Sequence, residues 1–161
     1  DNQWWEGHYY RRLGLVYFYK GDYVNASYNY FEAYKLFKTV KEDKKETIKS
    51  LCSYGYVEEL LGNHELAKEK MDECANWVSE NPEKESNDYP GHGAYQTIWP
   101  LYLYHKNINI LDKASNYLTM AYETIGKKAK DKYHKHPEKD THPEFFYCRD
   151  IIKEYEASLN Q

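Results

Sequence analysis

The sequence predicts an all-α protein built from stacked antiparallel helix hairpins, and three observations carry that prediction. Gly14, Gly21, Ala26 and Ala33 recur as Gly55, Gly62, Ala67 and Cys74, each displaced by 41 residues (55−14, 62−21, 67−26, 74−33). Self-similarity at a fixed period marks a unit that buries its apolar face only against its neighbour. Apolar residues recur at three- and four-residue steps, as in Tyr23, Ala26, Tyr30, Ala33 and Phe37, and no stretch alternates as a strand does. Prolines stand only at 82, 90, 100, 137 and 143, which leaves the first half free of helix breakers.

Seven helices follow in order. The first covers 3–20 and stops at Gly21, where reversal of the chain needs φ > 0. Asp22 is suited to cap the second helix, 23–38. A charged stretch, 41–46, reads as a solvated turn before the third helix, 44–61, and Gly62 with Asn63 repeats the stop-and-cap pair before the fourth, 64–80. Residues 79–93, with Pro82 and Pro90 among Asn, Ser and Asp, read as a second extended turn. The fifth helix, 92–107, contains Pro100, which should kink it or mark a late start. The sixth is expected over 110–133. The seventh, 144–158, carries the stripe Phe145, Cys148, Ile152, Tyr155 and Leu159 between charged flanks, as a terminal cap would. Close crossing within a hairpin requires a nearly absent side chain, so Gly14 is expected to face Ala26, and Gly55 to face Ala67.

Tyr10, Leu13, Gly14 and Tyr17, then Gly21, Ala26, Tyr30 and Ala33, resemble the tetratricopeptide repeat, W-x2-L-G-x2-Y followed by A-x3-F. Leu51, Tyr54, Gly55, Gly62, Ala67, Met71 and Cys74 form a second copy, with Glu58 where the tyrosine belongs. A fainter third lies on Ile98, Leu101, Tyr102, Ala114, Leu118 and Ala121, with Asn109 in the place of the turn glycine, 47 residues on (114−67). The resemblance implies a right-handed superhelix of about three hairpins, 3–38, 44–80 and 92–133, plus a C-terminal capping helix, in a single domain spanning 1–161. It also implies a concave groove lined by the first helix of each hairpin. Arg11, Arg12, Leu15 and Tyr19, then Lys49, Ser53 and Tyr56, then Trp99 and Lys106 would line it. Such a basic, aromatic groove suits an acidic, partly hydrophobic peptide or protein segment. The competing reading pairs these cations with Glu58, Glu59 or Glu6. Leu15 and Ser53 occupy places where chaperone-binding members carry asparagine, so a chaperone C-terminus is not expected.

Composition narrows the rest. No apolar run could span a bilayer, so no membrane partner is expected. The net charge of −4 argues against nucleic acid, despite Lys127, Lys128, Lys130, Lys132, Lys135 and Lys139. His134, His136 and His142 offer metal-ligand chemistry, but Pro137 breaks any shared helix face, and a polar linker is the preferred reading. No hydrolase, phosphate-loop or dinucleotide fingerprint occurs, so neither catalysis nor a cofactor is expected. Cys52, Cys74 and Cys148 each fall within an expected helix, which favours free core thiols over a disulfide and a cytoplasmic setting over a periplasmic or secreted one. Trp4, Trp5, Tyr9 and Tyr10 crowd a first helix with no hairpin before it, which motivates self-association, or assembly within a longer chain, as an alternative to groove binding.

Overall fold

Helix–turn–helix geometry recurs three times in a computed structural model, which describes residues 2–40, 43–82, 93–136 and 143–161. The chain divides into two units, Asp1–Glu80 and Asn81–Gln161. The first contains α1 (Asn2–Tyr19), α2 (Tyr23–Thr39), α3 (Lys44–Leu60) and α4 (His64–Glu80). The second contains α5 (Tyr95–Asn107), α6 (Leu111–Glu123), α7 (Lys127–Lys135), a 3-10 turn (Pro143–Phe145) and α8 (Phe146–Ser158). Among the described residues there is no strand. The expected turns at 41–46 and 79–93 fall partly outside the described residues.

The repeat is most exact at the reversals. Gly21, Gly62 and Asn109 adopt φ of 78°, 87° and 64°. In each, the N–H of that residue bonds three residues back (Gly21 to Phe18, Gly62 to Glu59, Asn109 to Lys106) and the next N–H bonds five back (Asp22 to Tyr17, Asn63 to Glu58, Ile110 to His105). That pairing satisfies the last carbonyls of a helix while turning the chain. Asp22 caps α2 by accepting from the Asn25 N–H. The Asn63 side-chain amide donates to Glu58 Oε2 at 2.6 Å.

Three small residues start the buried face of each returning helix: Ala26 (0%), Ala67 (0%) and Ala114 (3% exposed). Tyr30, Met71 and Leu118 follow, then Ala33, Cys74 and Ala121, all buried. The alanines expected above to face the crossing glycines are not their nearest neighbours. The glycines lie one turn further along, where a Cβ on Gly14 would stand 2.7 Å from Tyr30 Cδ1 and one on Gly55 2.8 Å from Met71 Sδ. The third hairpin has Tyr102 in that place, and its hydroxyl reaches Glu154 of α8.

Three further expectations are corrected. Cys52 and Cys74 are not free: a disulfide joins α3 to α4 across a Cα–Cα distance of 5.7 Å, and Cys148 alone stays a buried thiol. The helix expected over 110–133 is two helices. Thr124 donates its hydroxyl to the Ala121 carbonyl, Ile125 is buried, and Gly126 takes an extended ψ of 151° before α7. In α8 the buried face is Tyr147, Cys148, Ile151 and Ile152, whereas Leu159 is exposed, a rotation set by packing on α5 and α6. Pro100 lies fully buried inside α5, which starts at Tyr95 rather than 92.

Candidate functional site

The residues expected to line a groove fall into two sets, one in each unit. In the first, Arg11, Arg12, Leu15 and Tyr19 lie on α1, and Lys49, Ser53 and Tyr56 lie on α3. Arg11 Nη1 and Lys49 Nζ both bind the buried carboxylate of Glu46, each at 2.8 Å, and Arg11 Nη2 lies 3.2 Å from His8 Nδ1. Glu58 accepts from Ser27 and Asn63, and Glu59 meets His64 at 2.9 Å. Glu46 stands at the first turn of α3, where burial is tolerated because two cations and the helix N-terminus face it.

Burial pushes Glu46 up, but Arg11 and Lys49 more than offset this and hold it below the usual glutamate value. Burial lowers Lys49, with Glu46 opposing. His8 is lowered to about 4, first by burial and then by the Arg11 guanidinium. Its ring lies edge-on to Trp4 (4.1 Å) and Phe37 (5.0 Å), and Nε2 is buried without a hydrogen-bond partner. Trp4 Nε1 donates to Asp43 Oδ2 at 2.6 Å, a second tie between α1 and the start of α3. Arg11 and Lys49 thus serve a buried ionic cluster, and Ser53 is also buried. Leu15, Tyr19 and Tyr56 are half-buried, Tyr56 against the Phe18 ring at 5.9 Å, and Arg12 is exposed.

In the second unit, Trp99 and Lys106 of α5 line a depression of about 260 Å³ together with Tyr102, Leu103 and, from α8, Asp150, Lys153 and Glu154. Trp99 stacks on Tyr102, with centroids 4.9 Å apart and an interplanar angle of 29°. Glu154 Oε1 accepts from Tyr102 Oη at 2.6 Å and from Lys106 Nζ at 2.8 Å. Burial, then the bond to Glu154, pushes the Tyr102 phenol up to about 12, so it stays protonated and donating. Bonding to Glu154 raises Lys106, and the same bond lowers Glu154. Asp150 is held by Arg149 Nε at 3.0 Å. The α8 residues escaped the sequence reading. Asp150, Lys153 and Glu154 share one face at helical spacing, but spacing alone does not say which helix that face meets.

Elsewhere, α7 buries no residue. Its Lys130 lies over the Tyr122 ring (4.2 Å) and Lys132 over Phe145 (4.1 Å), while His134 meets Glu156 at 2.7 Å. The remainder of the histidine-rich run, 137–142, lies outside the described residues. Among the described residues, no cluster of three His, Cys, Asp or Glu is placed to hold a metal ion. No described helix is long and apolar enough to cross a membrane. Comparison with protein-family models, with curated proteins and with solved structures finds no match to this chain.

Proposed function

We propose that this chain is a noncatalytic helical-repeat module of tetratricopeptide type that binds an acidic, partly hydrophobic protein or peptide segment. The observation that carries this reading is the α5–α8 depression, which contains Trp99 and Lys106. Its aromatic floor and its leucine suit an apolar side chain. Its own acids are already matched, Glu154 by Lys106 and Tyr102, Asp150 by Arg149. Lys153, exposed at the rim, is then the cation that a ligand carboxylate meets, with Lys106 beside it. The Cys52–Cys74 bond favours an oxidising compartment over the cytoplasm for this activity.

The test is a displayed peptide library selected on the intact chain, with binding of the winners read by fluorescence anisotropy. Peptides pairing Asp or Glu with Leu or Phe should emerge, and Lys153→Glu with Lys106→Ala should weaken them at least about tenfold, with circular dichroism unchanged. Selection without an acidic signature, or winners indifferent to both substitutions, would refute the reading.

A further inference from the structure

Asn25, Ala26 and Ser27 form the one Asn-X-Ser/Thr triplet of the sequence, the pattern on which N-linked sugar chains are built. Ala26 is fully buried, but Asn25 is exposed at the first turn of α2, and the hairpin crossing falls at Gly14 and Tyr30 rather than beside it. Asn25 Nδ2 donates to Asp22 Oδ2 at 2.7 Å. A primary amide carries two hydrogens, so one can give way to a sugar while the other keeps that bond at the cap of α2. Beside Asn25, Val24 is 68% and Tyr28 59% exposed, the latter three residues along and within reach of a first sugar. The Cys52–Cys74 bond points to an oxidising compartment, the kind in which such sugars are attached.

We propose that Asn25 is an N-glycosylation site whose sugar chain covers Val24 and Tyr28. The donor is an oligosaccharide carried on a lipid diphosphate. Asn25 Nδ2 attacks the anomeric carbon of the first sugar, and a carbon–nitrogen bond forms as the bond from that carbon to the diphosphate oxygen breaks. The diphosphate leaves with the electron pair, and one amide proton passes to a base of the transferase. Ser27 fixes when this happens. It is buried and donates its hydroxyl to Glu58 of α3, so a transferase that reads the whole triplet cannot reach it once α2 has packed on α3. The sugar is therefore added before these helices close, and the folded chain accommodates it because Asn25 stays outside. The inference rests on the oxidising compartment favoured above and not on peptide binding in the α5–α8 depression.

A tryptic digest of the chain isolated from its source, run without reduction, tests the site and the compartment separately. Residues 21–35 form one peptide, bounded by Lys20 and Lys35 and free of cysteine. That peptide should carry a sugar chain that peptide N-glycosidase removes, leaving an aspartate at the acceptor position, in a chain whose Cys52 and Cys74 are joined. A bare peptide overturns the site: with joined cysteines the compartment stands, and with free thiols it falls too. The order of events is read on bare chain with a microsomal transferase and its lipid-linked donor. Reduced and alkylated chain, whose modified Cys52 and Cys74 no longer fit the buried face, should accept the sugar at least about tenfold faster than folded chain, whose α2 must first open locally. Asn25→Gln should accept none in either form. Refusal by the alkylated chain, equal rates in both forms, or transfer to Asn25→Gln each overturns the proposal.

Discussion

Gly14 and Gly55 hold equivalent places but not equivalent neighbours. The Tyr30 ring lies 2.7 Å from where a Gly14 Cβ would be and, at 1% exposure, has no way to retreat. At Gly55 the nearest atom is the far end of flexible Met71, at 2.8 Å, with Lys70 Cβ at 3.0 Å. Gly14→Ala should therefore destabilise by about 1–2 kcal/mol after its gain in helix propensity, and Gly55→Ala by less, as urea titration would show. The glycines were legible as crossing points, but Ala26 and Ala67 were read as their partners because spacing does not tell how far a ring reaches along its helix. His8 supplies a pH dependence. Its folded pKa of about 4 lies below the ordinary 6.5, so the unfolded chain binds the extra proton between those values. Stability is full above about pH 6.5 and falls as pH drops toward 4, by at most about 3 kcal/mol; Glu46, also lowered, adds a loss below the usual glutamate range. Denaturation at a series of pH values should show this slope flattened in His8→Gln.

At the scale of elements, helix partners matter more than helix propensities. The α3–α4 pair is cross-linked, and closing a separation of 22 residues stabilises by about 3 kcal/mol in the loop-entropy account. The register foretold that Cys74 replaces Ala33 on the buried face. It could not foretell that Cys52 approaches it, because that depends on where two helices cross. The α5–α8 contact is similar. Tyr102 is buried, whereas the Glu154 and Lys106 side chains are 41% and 54% exposed, so solvent screens the ion pair and most of the stabilisation rests on the phenol bond. A double-mutant cycle of Tyr102→Phe and Glu154→Gln should give a coupling of about 1 kcal/mol, and one of Lys106→Ala and Glu154→Gln a smaller one. A phenol coupling near zero would contradict the assignment.

At the scale of the molecule, the disulfide lies wholly within residues 1–80, and Trp99 is the one tryptophan of residues 81–161. Residues 1–80 expressed alone should fold cooperatively and melt roughly 10–20 °C lower after reduction, while the transition of residues 81–161, followed by Trp99, should not move. A reduction-sensitive Trp99 transition would contradict this. The 41-residue period, its three turns and the alternation of small and large residues on each returning helix were readable without coordinates. Local rules decide them: a reversal needs φ > 0, and a close crossing needs small side chains. The break at Gly126 was missed because nothing local forbids a helix there, and Ile125 ends it by turning into the core. The sequence by itself determined the buried face of each returning helix, α2, α4 and α6, and the three reversals at Gly21, Gly62 and Asn109, since both repeat at short range. Only the tertiary structure decided that Arg11 and Lys49 share Glu46, that Cys52 meets Cys74, and that α8 completes the depression beside Trp99, since periodicity specifies a face and not what will lie against it.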